Sequence, residues 1–82
     1  DEGAKALAEA LKVNETLSEL DLSSNDIDKE GFKALAAALQ ENDALTKLNI
    51  CYNGATYYMN DGVQENFYSL KRVKTGKLDI GF

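Results

Sequence analysis

The sequence predicts an α/β solenoid of about three helix–strand units, with parallel strands on a concave face and helices outside. Two observations predict this architecture: the sequence repeats itself at a spacing of 28 residues, and each repeat changes from helical to strand-like hydrophobic periodicity. Residues 1–27 align with residues 29–55 without a gap, and twelve of the 27 pairs are identical. We therefore expect one segment, 1–82, with units at about 1–27, 28–55 and 56–82.

The first half of each unit has helical spacing. Leu7 and Leu11 lie four residues apart in an Ala-rich stretch, and Phe32, Leu35 and Leu39 repeat this apolar stripe. Such spacing predicts an amphipathic helix with one buried face. A short polar side chain favours a helix start. The expected caps are Asp28 for the second helix and Asn60 or Asp61 for the third.

The second half of each unit alternates between apolar and polar residues. Leu20 and Leu22 alternate with Glu19, Asp21 and Ser23. One repeat later, Leu48 and Ile50 alternate with Lys47, Asn49 and Cys51. A period of two is typical of a short strand with one buried face.

The third unit departs from the pattern. Asp61-Gly62 resembles Glu30-Gly31 at a spacing of 31, which indicates about three inserted residues around positions 55–59. Val63, Phe67 and Leu70 then predict a helix face. Matching Leu78-Asp79-Ile80 to Leu20-Asp21-Leu22 predicts a third strand.

Composition argues against several classes of function. The net charge is −5, the sign that phosphate groups repel, and no apolar run is long enough to cross a bilayer, so neither nucleic acid nor membrane is an expected partner. Lys71, Arg72, Lys74 and Lys77 form the one basic stretch, interpreted as a solvated helix end. The absence of His and the single Cys51 predict no catalytic residues, no metal site, no cofactor and a reducing, cytoplasmic setting.

The strings Leu17-x-x-Leu20-x-Leu22-x-x-Asn25 and Leu45-x-x-Leu48-x-Ile50-x-x-Asn53 resemble the leucine-rich-repeat signature. Unit length and helix pattern resemble the ribonuclease-inhibitor-like subfamily, whose members include nucleotide-binding immune receptors, Ran GTPase activators and tropomodulins. The resemblance covers residues 1–55 well and 56–82 weakly. It implies a horseshoe segment in which Asn25 and Asn53 are buried structural residues bonding to turn backbone. Since the three units have no evident polar cap, we expect the segment to be part of a longer array.

In this geometry, outward-facing strand residues form columns across the sheet. The predicted columns are Glu19–Lys47–Lys77, Asp21–Asn49–Asp79 and Ser23–Cys51–Gly81. Two interpretations stay open: an exposed Glu19–Lys47 pair worth less than about 1 kcal/mol, or a contact surface. The candidate partner-binding residues are Glu19, Asp21, Lys47, Asn49, Tyr52, Tyr57, Tyr58, Lys77 and Asp79.

Tyr57 and Tyr58 lie in the inserted segment, beside Met59. Aromatic residues and Met are enriched at interface cores. These side chains either form a binding ridge or cap the end of the core.

The predicted function is therefore a protein–protein interaction module that binds another protein through the concave strand face, the 55–60 loop, or both. The alternative is a spacer within a larger signalling, GTPase-activating or actin-capping (tropomodulin-like) protein. An enzyme is not expected, because no carboxylate pair converges and no phosphate-binding glycine motif is present. A small doubly wound sheet is disfavoured by the 28-residue period.

Overall fold

The computed structural model describes residues 2–53 and 63–81, in which helices and strands alternate along the chain. The helices are α1 (Glu2–Val13), α2 (Lys29–Glu41), α3 (Val63–Tyr68) and α4 (Lys71–Lys74), and the strands are β1 (Glu19–Asp21), β2 (Lys47–Asn49) and β3 (Asp79–Gly81). The strands form one parallel sheet in the order β1-β2-β3. This arrangement confirms the predicted α/β solenoid of stacked helix–strand units.

The apolar stripes predicted from the sequence face a common core. Phe32, Leu35 and Leu39 are almost completely buried on α2, which packs between α1 and α3. The rings of Phe32 and Phe67 meet edge to face, with centroids 5.9 Å apart, and so join the second unit to the third. The strands close the core from the other side, where Leu48 is 1% exposed.

The start of α2 has the predicted cap. The Asp28 side chain accepts a hydrogen bond from the Gly31 N–H at 3.0 Å, which satisfies a donor that the helix itself leaves unpaired. Asn60 and Asp61, the predicted caps of the third helix, lie outside the described residues.

The third helical segment is divided. Phe67 and Leu70 are buried as predicted, but α3 ends at Tyr68 and Leu70 has an extended backbone before α4 begins. The predicted helix face over positions 63–70 is therefore interrupted at its end, and a second short helix follows at Lys71–Lys74.

Asn53 fastens the second unit to the first. It is 1% exposed, its Oδ1 accepts from the N–H groups of Asn25 and Ile27 at 2.9 Å, and its Nδ2 donates to the Leu22 and Ile50 carbonyls. These bonds satisfy turn backbone that the solenoid buries.

The predicted burial of Asn25 is wrong. Asn53 reaches back to the preceding turn, whereas Asn25 lies in the first described unit and its amide donates to Ser23 in its own turn. The side chain is therefore exposed, although it occupies the same position in the repeat.

A second buried asparagine, Asn42, follows α2 and plays a similar role at the opposite end of the strands. Its Nδ2 donates to the carbonyls of Leu11 and Asn14, and its Oδ1 accepts from the N–H groups of Ala44 and Leu45. The repeat alignment pairs Asn42 with Asn14, but sequence reasoning gave this pair no function.

Arg72 takes over this role in the third unit. Its guanidinium donates to the carbonyls of Asn42 and Leu45. The Asn42 carbonyl is equivalent to the Asn14 carbonyl that Asn42 itself binds one unit earlier, whereas the Leu45 carbonyl has no counterpart in that earlier set. The interpretation of Arg72 as part of a solvated basic stretch is therefore wrong. A long, forked donor replaces asparagine here and bridges two carbonyls of the neighbouring unit.

We expect Arg72→Ala to lower the free energy of unfolding by about 1.5–3 kcal/mol, because it removes two charge-assisted hydrogen bonds and leaves carbonyls unpaired. Urea denaturation followed by circular dichroism measures the loss. Lys71→Ala, at an exposed neighbour in the same helix, is the matched control and should change stability by less than about 0.5 kcal/mol. Equal stability of the two variants would show that Arg72 does not hold the units together.

Candidate partner-binding surface

The outward side chains of the three strands form one polar surface, which we call the open strand face: Glu19, Asp21, Lys47, Asn49 and Asp79. These residues are exposed, apart from the half-buried Asn49, while the intervening strand residues face the core. Strand alternation thus separates a buried apolar side from a largely exposed polar side. The face contains a shallow depression of about 280 Å³ lined by residues of β1 and β2.

The pairing of β1 with β2 agrees with the predicted columns, since Glu19 lies beside Lys47 and Asp21 beside Asn49. The predicted columns are wrong on β3. There Asp79 lies beside Lys47, and Gly81 lies beside Asn49.

The register differs because the third unit has a longer connection. The partners Leu48 and Ile80 are 32 residues apart, against 28 for Leu20 and Leu48. Lys77 precedes the strand, and its N–H donates to the Arg72 carbonyl at 2.8 Å. Lys77 is exposed but belongs to a turn and not to the Lys47 row.

The first row of the face is therefore acid–lysine–acid, running from Glu19 through Lys47 to Asp79. Within the described part of the chain, no ion pair joins Lys47 to either neighbour. The lateral ion-pair interpretation of Glu19 and Lys47 thus has no contact to support it. Three carboxylates and one ammonium group leave this face with an excess of negative charge.

In the second row, short polar side chains accept hydrogen bonds from backbone N–H groups two residues later in the chain. Asp21 accepts from the Ser23 N–H at 2.9 Å, and Asn49 accepts from the Cys51 N–H at 3.0 Å. The Ser23 hydroxyl and, secondarily, its backbone N–H hold the pKa of Asp21 below its ordinary value. Asp21 is therefore charged at neutral pH, and Asn49 offers the same geometry without charge.

Tyr52 lies just beyond the carboxyl end of β2, and its side chain is 78% exposed. Tyr57 and Tyr58 lie outside the described residues, so the ridge and capping interpretations of that segment both stay predictions. Cys51 is half-buried.

Residues 2–53 and 63–81 contain no group of three or more His, Cys, Asp or Glu side chains arranged to hold a metal ion. None of their helices has the length and apolar character required to cross a membrane.

Comparisons with known proteins agree with this architecture. A family model described as leucine-rich repeat matches residues 13–36, a range that runs from the end of α1 through β1 into α2. The match supports the leucine-rich-repeat fold that the repeat signature predicted.

A solved structure extends the likeness to nearly the whole chain. The structure of leiomodin-1 actin-binding site 2 (ABS2) superposes with a TM-score of 0.78 and 31% sequence identity over 95% of this chain. The chain spans 44% of the length of that structure. No curated protein shows significant sequence similarity to the chain.

Proposed function

We propose that this chain is a protein-interaction module that binds actin through its open strand face. The observation that carries the proposal is the likeness to leiomodin-1 actin-binding site 2, at 31% identity over 95% of the chain. Binding to a protein partner was the function predicted from the sequence, and the comparison supplies a candidate for that partner.

The open strand face supports the proposal because its lysine forms no ion pair among the described residues. Lys47 stands between two carboxylates without an ion pair to either, within the described residues. Charges arranged in this way give specificity and a faster encounter with a complementary partner. The acidic excess favours a partner surface with exposed lysine or arginine side chains.

The test is binding of purified actin to the chain and to a double variant, Lys47→Glu with Asp79→Lys. This exchange leaves the net charge unchanged while it reverses the middle and one end of the row. We expect at least about tenfold weaker binding, because complementary charges become like charges across the interface. Fluorescence anisotropy with monomeric actin and sedimentation with filaments measure the change.

The matched control carries the same exchange on the helical side, Lys5→Glu with Glu30→Lys, at exposed positions of α1 and α2. It should bind actin as the unmodified chain does, and thermal melts should show that both variants are folded. If the unmodified chain does not bind actin, the proposal is wrong. If the strand and helix variants lose binding equally, the open strand face is not the contact surface.

A second candidate function is architectural, and the ties between units favour it. Asn42, Asn53 and Arg72 each bond one unit to the preceding one, as a spacer requires. In this role the segment fixes the position of a partner site elsewhere in a larger protein. Capture of the same partner by the chain and by the strand variant is the outcome that favours it.

We also propose that the chain is a segment of a longer cytoplasmic array of the ribonuclease-inhibitor-like subfamily, without enzymatic activity. Leu17 is 36% exposed, whereas Leu45, its equivalent one repeat later, is 0% exposed. The outer side of the first unit thus exposes a leucine whose equivalent in the second unit is buried. Another unit stacked on that side would cover it.

A further inference from the structure

Tyr52 and Ser24 occupy equivalent positions, 28 residues apart, and both have a left-handed backbone with φ of 59°. Each follows a turn in which a side chain at the end of a strand accepts a hydrogen bond from a backbone N–H. Asn49 accepts from the Cys51 N–H, and Asp21 accepts from the Ser23 N–H. The turn therefore has the same left-handed conformation in both units, with serine in one and tyrosine in the other.

A tyrosine is an unfavourable residue for this position. Residues other than Gly adopt positive φ at a cost, and Asn and Asp tolerate it better than bulky residues. The Tyr52 ring recovers little from packing, since 78% of the side chain is exposed. Among the described residues, its ring takes part in no aromatic contact.

Ser24 shows that the fold does not require an aromatic ring here. The same turn, with the same φ, is made in the first unit by a small polar residue. Tyr52 thus combines the cost of a left-handed backbone with an aromatic side chain that is mostly exposed. A residue held in strain without structural benefit is expected where function needs it.

We infer that Tyr52 is an anchor residue for the protein partner, inserting its ring into an apolar pocket of that partner at the carboxyl end of the open strand face. The inference rests on the proposed function and takes actin as the partner. Tyrosine is enriched among the few residues that dominate binding energy, because it adds a large area with little conformational freedom to lose. Asn49, at the strand end, positions the turn that presents Tyr52.

The test compares actin binding and thermal stability of four proteins: the unmodified chain, Tyr52→Asn, Tyr52→Phe and Ser24→Asn. Tyr52→Asn should melt no lower than the unmodified chain, since Asn tolerates positive φ better, and should bind actin at least about tenfold more weakly. Tyr52→Phe keeps the ring and should retain most of the affinity. Ser24→Asn places asparagine at the equivalent left-handed position of the first unit and should leave the affinity for actin unchanged.

The outcomes separate the two proposals. If the unmodified chain does not bind actin, the proposed function fails and the anchor role fails with it. If the chain binds actin and Tyr52→Asn binds equally well, only the anchor role is overturned. A clear fall in melting temperature for Tyr52→Asn also overturns it, because the ring would then serve the fold.

Discussion

Phe32→Ala is expected to lower the free energy of unfolding by about 3–5 kcal/mol, the usual cost of removing a large buried aromatic side chain. Phe32 is 0% exposed and packs edge to face against Phe67, so its loss opens a cavity between the second and third units. A domain of 82 residues has a total stability of roughly 4–12 kcal/mol. The variant should therefore be partly unfolded at moderate temperature.

Urea denaturation monitored by circular dichroism measures the Phe32 effect, with Lys33→Ala as the control. Lys33 is the exposed neighbour on α2, and alanine favours a helix, so the control should stay within about 0.5 kcal/mol of the unmodified chain. A loss below about 1 kcal/mol for Phe32→Ala would contradict the tight packing between units.

Asn53→Ala is expected to cost about 2–4 kcal/mol, since buried backbone groups lose their hydrogen-bond partners without gaining water. The affected groups include the Ile27 N–H and the Ile50 carbonyl. The loss of stability should greatly exceed that caused by truncating an exposed asparagine. At an exposed site, the groups that lose the amide form hydrogen bonds to water instead.

The repeat supplies the control for this experiment. Asn25→Ala alters the same position in the first unit, where the side chain is exposed, and should cost less than about 1 kcal/mol. Thermal or urea melts of the two variants give the difference directly. Equal losses would mean that the asparagine acts within its own turn and does not tie neighbouring units together.

These predictions separate stability from binding. Phe32, Asn53 and Arg72 hold units together inside the solenoid, whereas Lys47 and Asp79 are exposed residues of the open strand face. Because the two groups are spatially distinct, variants of the open strand face should change affinity while leaving the melting temperature almost unchanged. A nearest-neighbour fold permits this separation, since each unit is stabilised mainly by the units beside it.

The sequence by itself determined the repeat, the order of helices and strands in the first two units, the buried stripes and the outward residues of the first two strands. Those features follow from local periodicity: a period of 3.6 or 2 assigns each side chain to a face before any long-range contact exists. The 28-residue spacing then aligned Glu19 with Lys47 because both units have equal length.

Only the tertiary structure decided the register of the third strand and which polar side chains form hydrogen bonds between units. The register of β3 depended on the length of a connection divided into two short helices, which put Asp79, not Lys77, beside Lys47. The contrast between Asn25 and Asn53 depended on which neighbouring unit each one meets. Arg72 has a structural role because its side chain is long enough to reach two carbonyls of the neighbouring unit. The distance between the side chain and those carbonyls depends on how the units stack, which the local sequence does not encode.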